Sequence, residues 1–132
     1  MGELILHKKL VPDVIFSSTA ARAIHTAKLV AQWAGHSQRI QIVTQFYPGN
    51  PADYIKVLSE KAIQNPTVMV VGHNPGLEHL LEYLTGKKED LPTAALAQIQ
   101  LPIDDWSQLT LKTTGALINV FRPKEIFKEH LE

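Results

Sequence analysis

The 132-residue sequence contains no cysteine, which excludes disulfides, a thiol nucleophile and cysteine-ligated zinc. It has no net charge, its 13 Lys and Arg balancing 13 Asp and Glu. No overall field therefore draws it to nucleic acid or to a membrane surface. No apolar run reaches the ~20 residues that a membrane-spanning helix needs, and the opening MGELILHKKL has too short an apolar stretch for a secretory signal. There is no repeat, no low-complexity segment and no linker. The P-loop, the paired His-Glu zinc helix and the G-x-S-x-G elbow are all missing. What remains has an ordinary composition, 45% hydrophobic and 20% charged. One domain over residues 1–132 is expected, soluble and cytoplasmic, with neither nucleic acid nor membrane as partner.

The most informative stretch is TVMVVGHNPGLEHLLEYL, residues 67–84. Val68, Met69, Val70 and Val71 form a continuous β-branched apolar run, the pattern of a strand buried on both faces. Gly72 and His73 close it, and Asn74-Pro75-Gly76 is a turn cluster with proline suited to a first helical turn. Leu77, Leu80, Leu81 and Leu84 follow helical spacing, and Gly86 is a natural stop. His73 thus sits between the carboxyl end of a strand and a helix N-terminus, where open α/β sheets bind ligands and where anions are favoured. The residues leave two readings open: a histidine that touches an anion such as a phosphoryl group, or a turn histidine bonded to backbone.

Residues 1–11 read as the end of a helix, with Leu4, Ile5 and Leu10 or Val11 on one side. Pro12-Asp13 marks a turn and Val14, Ile15 and Phe16 a second buried strand. Ser17, Ser18 and Thr19 are N-cap candidates for a helix whose inner face is Ala20, Ala23, Ile24, Ala27, Val30, Ala31 and Ala34, ended by Gly35. Arg22 lies in its first turn, where the helix dipole disfavours a cation; an anion-binding role competes there with a solvated surface one. Ile40, Ile42, Val43 and Phe46 suggest a third strand. Asn50-Pro51-Ala52-Asp53 starts a helix with Tyr54, Ile55, Leu58 and Ala62 inward. The run 87–90 is a solvated loop. Ala97, Ile99 and Leu101 alternate with glutamines in a half-exposed strand, residues 102–108 turn around Trp106, residues 116–121 form a last strand, and residues 124–132 form an amphipathic tail.

The sum is an α/β sandwich of three layers, mostly parallel, with a late antiparallel strand. Two strand-to-helix junctions, Ser17-Ser18 with Arg22 and Gly72-His73-Asn74, open on one sheet edge if their strands are parallel neighbours. A guanidinium facing an imidazole suits phosphoryl chemistry, in which charge stabilisation dominates.

With both junctions in view, SSTAARAIHTA (residues 17–27) resembles the Ser-Ser/Pro-x-x-Arg-Ala-x-x-Thr-Ala segment of the histidine phosphatase (phosphoglycerate mutase-like) superfamily. VMVVGHNPGL (68–77) resembles the segment carrying that family's second catalytic histidine. LPTAALAQIQL (91–101) is similar to the following strand of the small SixA-type phosphohistidine phosphatases. The resemblance implies a phosphoglycerate mutase-like fold and a phosphohistidine intermediate, formed by the histidine of an Arg-His-Gly motif and released by water. It implies no metal and no cofactor. Catalytic roles fall to His73 and Arg22, and substrate-binding roles to Arg22, His73, Ser18, Asn74 and Thr93. The partner is a phosphorylated protein or a small phosphorylated substrate.

The sequence departs from this pattern at one point: it contains no Arg-His-Gly. The resemblance aligns residues 1–11 with the end of the family's first helix, so the nucleophile strand is expected before Met1. In the family that strand runs between the strand ending at the second histidine and the antiparallel strand. Without it those two strands either pair directly or leave a gap, and exposed edges invite self-association. Among the other histidines, His7, His36, His79 and His130 read as surface residues, and His25, one turn after Arg22, is a weak substitute nucleophile. The expectation is a phosphatase-like protein that does not turn over as given, the alternative being a non-catalytic binder of a phospho-ligand or partner. Arg22 and His73 are expected in one pocket, their tips approaching to within a phosphate's reach, about 6–8 Å, which allows two hydrogen bonds of ordinary length.

Overall fold

The computed structural model describes residues 11–35 and 39–122. The first strand, β1 (Val14–Ser17), is fully buried, with Val14, Ile15, Phe16, Ser17 and the following Ser18 all at 0% exposure. It is flanked in parallel by β2 (Arg39–Ile42) and β3 (Val68–Val71), giving the order β2-β1-β3. Two late strands, β4 (Leu96–Gln100) and β5 (Ala116–Phe121), pair antiparallel with an irregularity between Gln98 and Ile99. The helices are α1 (Ala21–Ala34), α2 (Pro51–Lys61) and α3 (Gly76–Thr85).

Side-chain alternation along β1 divides the core in two. Ile15 faces α1 and packs with Ala27, Val30, Ala31 and Ala34. Val14 and Phe16 face the other way, into a larger cluster with Phe46, Tyr54, Ile55, Leu58, Leu80 and Leu84 of the α2 and α3 layer. Burying a side chain such as Phe16 contributes roughly 1.5–3 kcal/mol. The helices therefore cover both faces, as right-handed crossovers require.

Helix α2 has a local reason to begin, and α1 and α3 have local reasons to end. Asn50 caps α2, accepting from the Asp53 amide at 3.0 Å while Asp53 accepts from the Asn50 amide at 3.0 Å, and Pro51 opens the first turn. Gly35 and Gly86 end α1 and α3 in the left-handed conformation, at φ 118° and 71°. The serine and threonine cap candidates of α1 do not act as caps. Ala20 occupies the N-cap with no side-chain bond, because the Ser18 hydroxyl is turned to His73 instead. Phe46 lies beyond β2, in a short 3₁₀ turn, Thr44–Phe46. The loop at 87–90 is anchored where Arg122 meets Glu89 at 2.9 Å and the Asp90 carbonyl at 3.1 Å. The expected helix at 1–11 lies, save for Val11, outside the described residues, as does the tail at 124–132.

The expected burial of β3 on both faces is corrected: all four of its residues are half-buried. The reason is its place in the layer. Among the described residues β3 pairs only with β1, and β4 only with β5. Yet Val68 and Val70 pack against the same cluster as Ile99 and Leu101, and Met69 and Val71 against the same cluster as Leu96. The β4–β5 pair thus continues the layer of β3 without a ladder joining them. Of the two expected outcomes for this join, the described strands show the gap.

Two measurements check this description. Hydrogen exchange should show the ladder amides of β1 strongly protected, and the β3 amides that point away from β1 exchanging at loop-like rates; uniform protection of β3 would mean that another strand covers its edge. Asn50→Ala should lower stability by about 1 kcal/mol in urea unfolding, through loss of the α2 cap.

Candidate functional site

Parallel pairing of β1 with β3 sets Ser17 opposite Val71, and the Ser18 amide donates to the Val71 carbonyl at 3.0 Å. The chain leaves both strands at the same edge, and the two junctions meet. The Ser18 hydroxyl lies 2.6 Å from Nε2 of His73. On the other side of the ring, an Arg22 guanidinium nitrogen lies 3.5 Å from Nδ1. The tips of Arg22 and His73 are thus closer than a phosphate-width apart. Tyr47 completes the surroundings, edge-on to the imidazole with ring centres 5.0 Å apart.

These contacts assign the ring's proton. A guanidinium only donates, so Nδ1 acts as acceptor and the proton of the neutral ring sits on Nε2, directed at the Ser18 oxygen. In that tautomer Ser18 accepts from His73. Burial lowers the His73 pKa below the ordinary histidine value, and the neighbouring Arg22 charge lowers it further.

A cavity of about 440 Å³ opens over this group, lined by Arg22, Tyr47, Asn50, His73, Asn74 and His79 together with the glycines and prolines of their loops. Its volume is ordinary for a small-ligand site. None of its lining residues is a carboxylate, so its charge favours an anion. Among the described residues no group of three His, Cys, Asp or Glu is placed to hold a metal ion, and no helix is long and apolar enough to cross a membrane.

Of the residues singled out in the sequence, Arg22, Ser18 and His73 come together and Asn74 lines the cavity. The Asn74 side-chain amide donates to the Leu91 carbonyl at 2.6 Å and ties the β3–α3 junction to the next loop. Thr93 is exposed in the turn before β4 and does not line the cavity. His25 is exposed on α1 and also does not line it. His79, read as a surface residue, is exposed but stands on the cavity wall. Tyr47 and Asn50 were missed as site residues. The available signal was topological: the loop after β2 must open on the same edge as those after β1 and β3.

No protein-family model and no curated protein matches this sequence. Solved structures do. The SixA protein of Agrobacterium tumefaciens, assigned as a phosphohistidine phosphatase, superposes with a TM-score of 0.72 at 25% identity, covering 92% of this chain and 74% of its own. The SixA protein of Nakamurella multipartitia, assigned likewise, gives 0.70 at 20% identity, covering 92% and 77%. The protein histidine phosphatase SixA in complex with tungstate gives 0.72 at 18%, covering 95% and 78%. The fold is the mixed α/β, phosphoglycerate mutase-like fold of the histidine phosphatase superfamily. Within it, the structures matched are those of the SixA phosphohistidine phosphatases.

The charge pattern of the site sets an expected pH dependence. A bound dianion favours protonated His73, whose pKa in the free protein lies below the ordinary value. Sulfate keeps its charge across this range. Its affinity should therefore be flat above neutral pH, rise as pH falls toward the His73 pKa, and level off below it. Calorimetric titration should find this dependence lost in His73→Ala and kept in His79→Ala, and affinity about tenfold or more weaker at every pH in Arg22→Ala.

Proposed function

We propose that this is a phosphohistidine phosphatase-like protein whose cavity holds the phosphoryl group of a phosphorylated protein or small phosphoester. The observation that carries the reading is the meeting of Arg22 and His73 at the ends of adjacent parallel strands, in a cavity lined by no carboxylate, with the fully buried Ser18 hydroxyl behind the imidazole and outside the cavity lining. The likeness to the SixA structures supports a phosphatase-like function, and one of those structures holds tungstate, a phosphate-like oxyanion. Arg22 supplies a fixed positive charge and His73 a donor that gains charge on protonation. The N-terminus of α1, beginning beside Ser18, adds backbone donors at the same place.

The site as it stands binds better than it reacts. The His73 ring is engaged on both nitrogens, the Ser18 hydroxyl accepts from it, and the sequence has no Arg-His-Gly. In this reading the site binds a phospho-ligand, and among the described residues no side chain stands out as its nucleophile. The gap beside β3 is where a further strand would bury the half-buried faces of β3 and β4. About a quarter of the Agrobacterium SixA chain has no counterpart in this one, which is ample for a strand and a helix. Left unfilled, the two strand edges favour self-association.

The expected result of a phosphohistidine hydrolysis assay on the 132-residue protein is no turnover above background. An extended form carrying a strand that ends in Arg-His-Gly, joined through a lengthened first helix, should gain melting temperature and activity together, and lose the activity with Arg22→Ala or His73→Ala. Enzymatic rates from the unextended protein would refute the binder reading and make His25 the first nucleophile to test.

A further inference from the structure

Tyr54 is fully buried in the first turn of α2 and packs on Phe46, ring centres 4.4 Å apart. Its hydroxyl is a buried side-chain polar atom with no hydrogen-bond partner, and no other such atom occurs among the described residues. A phenylalanine would fill the same core position without burying a hydroxyl, so the oxygen needs its own explanation.

Its surroundings supply one. Three glycines close around this phenol: Gly49 and Gly76, which line the cavity, and Gly72, which precedes the cavity residue His73. A Cβ on Gly72 would run into the Tyr54 hydroxyl and come within 3.1 Å of Cζ. A Cβ on Gly49 would lie 2.9 Å from the same oxygen, and one on Gly76 3.5 Å from ring carbon Cε2. Gly49 precedes Asn50 in the loop beyond β2, Gly72 precedes His73, and Gly76 opens α3. The phenol tip is therefore seated between the backbones of both loops. Burial raises the Tyr54 pKa, partly offset by the His73 backbone and reinforced by the nearby Asp53 charge, so the hydroxyl stays a neutral phenol.

We infer that Tyr54 is a positioning residue for the anion site: its hydroxyl props the Gly72–His73 backbone at the height where the imidazole reaches both Ser18 and Arg22. The inference rests on the reading of Arg22 and His73 as the anion-binding pair. Removing the oxygen leaves a space directly beneath Gly72 into which the backbone can settle, drawing the ring away from Ser18. The aromatic packing on Phe46 stays.

The test compares wild type, Tyr54→Phe and Arg22→Ala by sulfate titration and by NMR titration of the His73 ring nitrogens. Tyr54→Phe should keep a folded amide spectrum and a melting temperature within a few degrees of wild type. It should bind sulfate at least about threefold more weakly, and its His73 midpoint should move up toward the ordinary histidine value. A purely structural tyrosine would change stability and leave the midpoint alone. The inference is overturned if Tyr54→Phe leaves both midpoint and affinity unchanged while Arg22→Ala loses sulfate, or if Tyr54→Phe fails to fold, since the oxygen would then serve the core. Sulfate binding undiminished in Arg22→Ala would instead remove the anion site itself, and the inference with it.

Discussion

The parallel register of β1 and β3 is the constraint on which the site depends. Ser17 stands opposite Val71, so Ser18 and His73 leave the ladder side by side. A slip of one residue would turn every side chain of one strand to the other face and carry the Ser18 hydroxyl away from the imidazole. The register is held at both ends. At the lower end the Asp13 amide donates to the Thr67 carbonyl at 2.7 Å, and the Asp13 carboxylate accepts from the Thr67 amide at 2.9 Å. At the upper end the Ser18 amide donates to Val71. Between them Ile15 and Phe16 belong to separate clusters on opposite faces, so a slip would exchange two core environments of different shape.

Parallel strands also explain why one edge carries all the chemistry. Three loops emerge there, after β1, β2 and β3, and each brings a different part: hydroxyl and guanidinium, aromatic ring and amide, imidazole and amide. Asn50 joins helix stability to the site, since the residue that caps α2 also lines the cavity. The β3–α3 junction is braced similarly from outside, where Glu78 accepts from the Leu91 amide at 2.8 Å and Asn74 donates to the Leu91 carbonyl.

The split in the sheet separates two properties that a complete site would hold together. Arg22 follows β1, whose residues are fully buried, and His73 follows β3, so the proposed charge recognition rests on that strand pair. A phosphoryl acceptor needs another group aimed into the cavity, and the side beside β3 is where the layer lacks a ladder among the described residues.

The amino-acid pattern by itself determined the order and type of the elements. The runs at β1 and β3, the Asn50-Pro51-x-Asp53 start of α2 and the stops at Gly35 and Gly86 are local signals, each with a local physical cause. The two motif-bearing junctions were legible for the same reason. Tertiary structure alone decided the rest. That Ser18 meets His73 at 2.6 Å, while accepting from the Ala20 amide only at 3.4 Å, depends on which strand lies beside β1. The half-burial of β3 could not be read from VMVV, since that run records what a strand can bury, and its actual exposure depends on the neighbours it is given. Tyr54 reads as one more core aromatic at helical spacing. Only the folded chain brings Gly49 and Gly72 to its hydroxyl and Gly76 to its ring, from three separate positions, and so seats it beneath the site.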